Sequence, residues 1–136
     1  MSSLLKGRAQ AVTHGQALVE TAIVLPILLM LGLVTFDVGR AIYAHIALTE
    51  ATQEGAFYGA YEPGGNIVQR VQTSSDHVWV TGATVSVTCT TSPTPGQVAV
   101  TSSYGLPVIS PPGQLIFGGT FTLSMTVTAT NFEGSC

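Results

Sequence analysis

Three histidines, two cysteines and one serine-rich turn hold the residue types from which a catalytic or metal site is usually built. Their spacing speaks against both. His14, His45 and His77 lie about thirty residues apart, on segments of different character. His45 and Glu50 are five apart, so on a helix they diverge, whereas ligands sharing a helix face sit three or four apart. Ser74, Ser75, Asp76 and His77 contain the letters of a hydrolytic triad, but they read as one polar turn without a nucleophile elbow or oxyanion loop. Gly64-Gly65 and Gly118-Gly119 read as turns and lack the phosphate-loop pattern. Cys89 and Cys136 are too few for a four-cysteine zinc cluster. The chain therefore reads as non-enzymatic, with no catalytic residue, no metal ligand, no cofactor and no small-molecule substrate. The remaining constellation is a glycine and a glutamate at the head of an apolar run, which either marks a cleavage site or only lets the carboxylate reach the lipid headgroups. In Gly15-Gln16-Ala17-Leu18-Val19-Glu20, a glycine without a Cβ leaves a peptidase room to reach the bond to Gln16. The amine freed on Gln16 would lie one helical turn from the Glu20 carboxylate, close enough for mutual neutralisation.

The element that must position these residues is an apolar span. Of 136 residues, 46% are hydrophobic and 8% charged, against about 25% charged in ordinary soluble domains. Four basic and seven acidic side chains give a net charge of −3, which leaves no basic surface for phosphates, so nucleic acid is not an expected partner. Ala17–Phe36 carries Glu20 as its single charge. As a helix it is roughly 30 Å long, the thickness of the hydrocarbon core, and it is apolar all round. Residues 16–36 are read as a transmembrane helix. Lys6 and Arg8 precede it, while Arg40 follows beside Asp37. The positive-inside rule then makes residues 1–15 a cytoplasmic leader and puts residues 37–136 across the membrane. A cleaved signal peptide fits less well, because its apolar region is about 7–15 residues and ends in small residues.

Residues 37–60 continue the helix outside the membrane. Alanine is abundant, proline is absent, and Ile42, Ile46, Thr49, Gln53 and Phe57 recur at helical spacing up to the stop at Pro63-Gly64-Gly65. The expected helix runs from Gln16 to about Ala60, with Gly55 and Gly59 weakening its last turns. Pro26 removes one backbone donor, frees the carbonyl of Ala22 and predicts a kink. Asp37 and Arg40, three apart at the membrane exit, read either as a surface ion pair or as charges that meet a neighbouring subunit. Gly32 and Gly39 lack the GxxxG spacing.

Residues 61–136 form a different unit. Thirteen Thr and nine Ser fall within residues 72–136, alternating with apolar residues at Val85, Val87, Cys89, at Val98, Val100, and from Phe121 through Leu123, Met125 and Val127 to Ala129. This period of two predicts three or four antiparallel strands with one buried and one hydroxyl-covered face. Ser92–Gly96 reads as the first turn, and Gly105–Gly119, with three prolines, as a long apolar loop against membrane or neighbour. So small a sheet needs the outer half of the helix as its second layer. The fold class is α+β: a long N-terminal helix packed on a small antiparallel sheet. Cys89 and Cys136 lie on the oxidising side in this topology and are candidates for a disulfide, with each other or with other subunits.

A glycine followed by an apolar segment with glutamate at the fifth residue after it resembles a type IV prepilin processing site. With the apolar run through Leu25-Pro26, the segment Asp37-Val38-Gly39-Arg40-Ala41-Ile42-Tyr43 and the element Glu54-Gly55-Ala56, the chain resembles the TadE-like family. Val85-Ser86-Val87-Thr88-Cys89 and the threonine-rich last strand are similar to that family's C-terminal half. The resemblance implies a minor pseudopilin of the Flp/Tad tight-adherence pilus, inserted in the bacterial inner membrane and processed by a prepilin peptidase. Its partners would be the membrane, that peptidase and other pilus subunits. Gly15, Gln16 and Glu20 would form the processing site, and Glu20, Pro26, Asp37 and Arg40 would serve helix packing and assembly. The chain departs from the pattern where many relatives carry Arg around Glu-Gly-Ala; here Gln53 and Phe57 stand. The rival reading is a permanently anchored extracytoplasmic binding domain that never enters a filament and works through its Thr/Ser-rich sheet.

Overall fold

The computed structural model describes residues 2–62, 64–90 and 95–131, with side chains from residue 15 onward. The first element, α1, is one helix, Ser2–Tyr61. It begins well before Gln16, so leader, span and outer continuation share one helical backbone, and it continues through Pro26. The side chains of Lys6, Arg8 and His14, like Pro63 in the expected stop, lie outside the described residues. Gly64, at φ +94°, makes the turn that follows the helix, in the left-handed region open to glycine.

Two short helices, α2 (Ile67–Thr73) and α3 (Val78–Thr81), lead into three strands, β1 (Thr84–Thr90), β2 (Gly96–Pro107) and β3 (Thr120–Asn131). Between β2 and β3 lies a further helix, α4 (Pro111–Phe117). The sheet is an antiparallel meander in the order β1-β2-β3. Its register puts Val87 opposite Val100 and Val100 opposite Val127, with Cys89, Val98 and Ala129 in the next row. These residues share the face toward α1. Thr101 and Thr126 pair on the other face, their hydroxyls 2.9 Å apart.

Val98 and Val100 belong to the middle strand of the sheet, which pairs on both sides and runs twelve residues. The expected loop over Gly105–Gly119 contains the end of β2, through Pro107, and the helix α4, Pro111–Phe117. Ser110 caps α4, accepting from the Gly113 N–H at 3.1 Å, and Pro111 and Pro112 occupy the first helical positions, where a missing N–H costs nothing.

The core lies between the outer half of α1 and the sheet. Ala47, Ala51 and Ala56 meet Ile67, Val71, Val80, Val98 and Val100. The helix face turned inward is thus built of small residues. Gly55 and Gly59 belong to it and are buried. A Cβ on Gly55 would sit 2.2 Å from Val71 Cγ2, and one on Gly59 would sit 2.6 Å from Ile67 Cδ1. Both glycines are there to let α2 close on α1. The stripe that marks the helix in the sequence faces away: Ile42, Ile46 and Phe57 are exposed.

Inside the interface, Thr52 and Ser102 are fully buried and their hydroxyls lie 2.9 Å apart. Thr52 Oγ1 is also 2.6 Å from the carbonyl of Leu48. Having one proton, Thr52 donates it to that carbonyl and accepts from Ser102, so both groups are satisfied.

Candidate assembly surface and membrane junction

The span offers its whole circumference to the outside. Leu18, Ile23, Leu25, Leu28, Leu31 and Phe36 are all more than half exposed, and no part of its most apolar stretch is buried by the rest of the chain. One N-terminal helix of this length and composition fits a single-pass membrane protein. Thr21 and Thr35 donate their hydroxyls back to the carbonyls of Ala17 and Leu31 at 2.9 and 2.8 Å, which leaves no hydroxyl donor unpaired toward lipid. Gly15, Gln16 and Glu20 lie on this exposed helix, with Glu20 on the same face as Val24 and Leu28.

At the end of the span the chain builds a closed polar junction. Asp37 is 2% exposed. Its carboxylate accepts the Ile109 N–H at 3.2 Å, the Ser110 N–H at 2.9 Å and the Ser110 hydroxyl. Arg40 stands 3.9 Å away and donates to the Pro107 carbonyl at 3.4 Å. The Ser110 hydroxyl, then the two backbone N–H groups and the Arg40 charge, hold the carboxyl below its ordinary range, against the opposing effect of desolvation. Asp37 is therefore held by groups of its own chain, Ile109, Ser110 and Arg40. Gly113 makes the fit possible, since a Cβ there would come within 2.8 Å of Asp37 Oδ2. Ser110 and Gly113 went unread in the sequence, although Ser-Pro-Pro-Gly is a helix-start signal.

The remaining candidates are placed as follows. Glu54 pairs with Arg70 of α2, whose Nε lies 3.0 Å from Glu54 Oε1. The cation beside the Glu-Gly-Ala element therefore comes from α2. Arg70 also lies 5.5 Å from the centre of the Tyr58 ring. His77 hydrogen-bonds Tyr43 Oη through Nε2 at 3.2 Å and stacks on Trp79 at 5.2 Å. Ser74 and Ser75 bond to local backbone groups, so the Ser-Ser-Asp-His segment is a turn that ties α2 to α1. Among the described residues, no three of His, Cys, Asp and Glu gather in one place. A groove of about 590 Å³ between α1 and α2 is lined by Tyr43, Glu50, Glu54, Arg70 and His77; its one ion pair is internal. Cys89 on β1 is not a free thiol, while Cys136 lies outside the described residues.

Residues 15–56 match the family model described as TadE-like protein. That segment runs from the glycine before the span to the alanine of Glu-Gly-Ala and includes Glu20, Pro26, Asp37 and Arg40. No curated protein and no solved structure matches the chain.

Proposed function

We propose that this chain, TadE-like over residues 15–56, is a structural subunit of a Tad-type pilus system. In this reading it is a minor pseudopilin, inserted in the inner membrane with its N-terminus in the cytoplasm and cut after Gly15 by a prepilin peptidase. Asp37–Cys136 then lie outside the cytoplasm, where Cys89 and Cys136 bond to each other. The observation that carries the reading is the outward face of α1 beyond the membrane. Ile42, Ile46 and Phe57 are 58%, 49% and 59% exposed there, and they continue the exposed apolar surface of the span along the outer helix. A solitary anchored domain has no use for an apolar stripe in water. A subunit whose helix packs against other helices does.

In such packing the span trades lipid for protein, and a carboxylate at its N-terminal end must bring its own cation. Cleavage supplies one, because the new amine of Gln16 lies a turn from Glu20. Cross-linking tests this function. A photoreactive phenylalanine at Ile46 or Phe57, in cells producing the pilus, gives adducts with pilus subunits, and the same probe at Thr88 on the hydroxyl face does not. Equal labelling at all three positions, or lipid adducts alone, would favour the anchored domain.

A further inference from the structure

The connection between β2 and β3 lies at the end of the domain nearest the span. Arg40 reaches Pro107 at the end of β2, and Asp37 holds Ile109 and Ser110. At the far end of the sheet, Thr128, Ala129 and Thr130 lie beside Phe57, Ala60 and Tyr61. The strands therefore run alongside α1, with Pro107 and Thr120 lowest. Phe36, the last residue of the apolar run, directly precedes Asp37. The backbone that leads into α4 is thus tied to a helix position about 1.5 Å beyond the end of the apolar run.

Held at that level, the segment turns apolar side chains outward. Leu115 is 90% exposed, Ile116 66% and Ile109 62%, while Leu106, Val108 and Gly113 fill the inner side. Residues 78–132 contain no Asp, Glu, Lys or Arg, so no charge on this part of the chain opposes approach to the bilayer. We propose that Ile109, Leu115 and Ile116 form a foot that dips into the interfacial zone of the bilayer crossed by α1, its occupant being phospholipid acyl chain. The domain then touches the membrane at two places, the span and the foot, which restricts its tilt on the outer helix. Short apolar segments at this depth bind by burying area beneath the headgroups. The inference rests on α1 spanning the membrane, and the test separates the two claims.

The full chain is reconstituted in phosphatidylcholine vesicles with and without lipids brominated near the top of the acyl chain. Trp79→Phe serves as background; Trp79 Nε1 has no hydrogen-bond partner, so Phe preserves the stack on His77 and loses no bond. Single tryptophans are then placed at Leu115, at Leu28 in the span and at Thr88 on the hydroxyl face. The foot predicts that emission from Leu115→Trp is blue-shifted and falls about twofold with brominated lipid, while Thr88→Trp is unaffected. Quenching at Leu28 with none at Leu115 would overturn the foot and leave the span intact. Loss of quenching at both would overturn the span and the foot together. Leu115→Trp shielded from aqueous quencher yet untouched by bromine would give the surface to a protein neighbour and also overturn the proposal.

Discussion

Asp37, the first residue after the apolar run, accepts both the backbone N–H and the hydroxyl of Ser110, seventy-three positions later in the chain. This contact joins the membrane exit of the helix to the base of the β domain. Ser110 also caps α4, so one hydroxyl group serves the helix start and the junction together.

Ser110→Ala removes the cap and one of the three donors to Asp37, and it destabilises the α4 segment by about 1 kcal/mol. Asp37→Asn removes the charge with little change of shape. Because the native carboxyl is held below its ordinary range, its stabilising contribution is present above that range and is lost as pH falls through the depressed native value. Hydrogen exchange on the full chain in bilayers checks this. Protection over residues 108–119 drops in acid in the wild type, and in Asp37→Asn it is low and insensitive to that titration.

The buried Thr52–Ser102 pair predicts an asymmetry. Ser102→Ala leaves Thr52 bonded to the Leu48 carbonyl and costs about 1 kcal/mol. Thr52→Val strands the Ser102 hydroxyl in the core and costs about 1–3 kcal/mol. The double variant recovers part of that loss, a coupling that thermal unfolding of the four proteins measures.

The span was legible in the sequence as an unbroken apolar run, and β3 as a period of two without interruption. The length of β2 was not, because Ser102 points inward where a strand pattern wants an apolar residue; its partner Thr52 lies on another element. α2 and α3, of seven and four residues, are too short to show a period. α4 was hidden by its prolines, which suggest a loop until Ser110-Pro111-Pro112 is read as a cap and first turn. The inward face of α1 is Ala44, Leu48, Ala51, Gly55 and Ala56, mostly too small to stand out in hydropathy, whereas Ile42, Ile46 and Phe57 catch the eye and face outward. Asp37 stood out only as a charge at the end of the apolar run. Its partner was not legible, since nothing local in the sequence ties residue 37 to residue 110.

The Cys89–Cys136 bond of the proposed function closes a loop of about 48 residues, which in the chain-entropy model is worth about 4 kcal/mol. Alkylation of unreduced protein followed by intact mass finds no labelled thiol in the monomer. Two labelled thiols, or a reducible dimer, would contradict an intramolecular bond.

Processing is tested at Gly15. In cells with the cognate peptidase, the membrane-bound chain begins at Gln16. Gly15→Val leaves the longer form, because a β-branched side chain crowds the bond to be cut. Mature chains retain two basic and seven acidic side chains, so the cleaved form also migrates as the more acidic species on isoelectric focusing.

The central claim is that the helix assembles with other subunits, and Glu20 is where assembly and anchoring part company. A charge costs about 2.5–3.5 kcal/mol at mid-bilayer and less near the end of a span. Glu20→Gln therefore inserts at least as well as the wild type, and its side chain keeps its size. The measurement is the number of surface pili per cell in a Glu20→Gln strain shown to insert the chain and cut it after Gly15 at wild-type levels. The account predicts few or no pili, because the amine of Gln16 then enters the subunit interface without its carboxylate. Normal piliation with normal insertion and cleavage would contradict it and leave the chain an anchored domain.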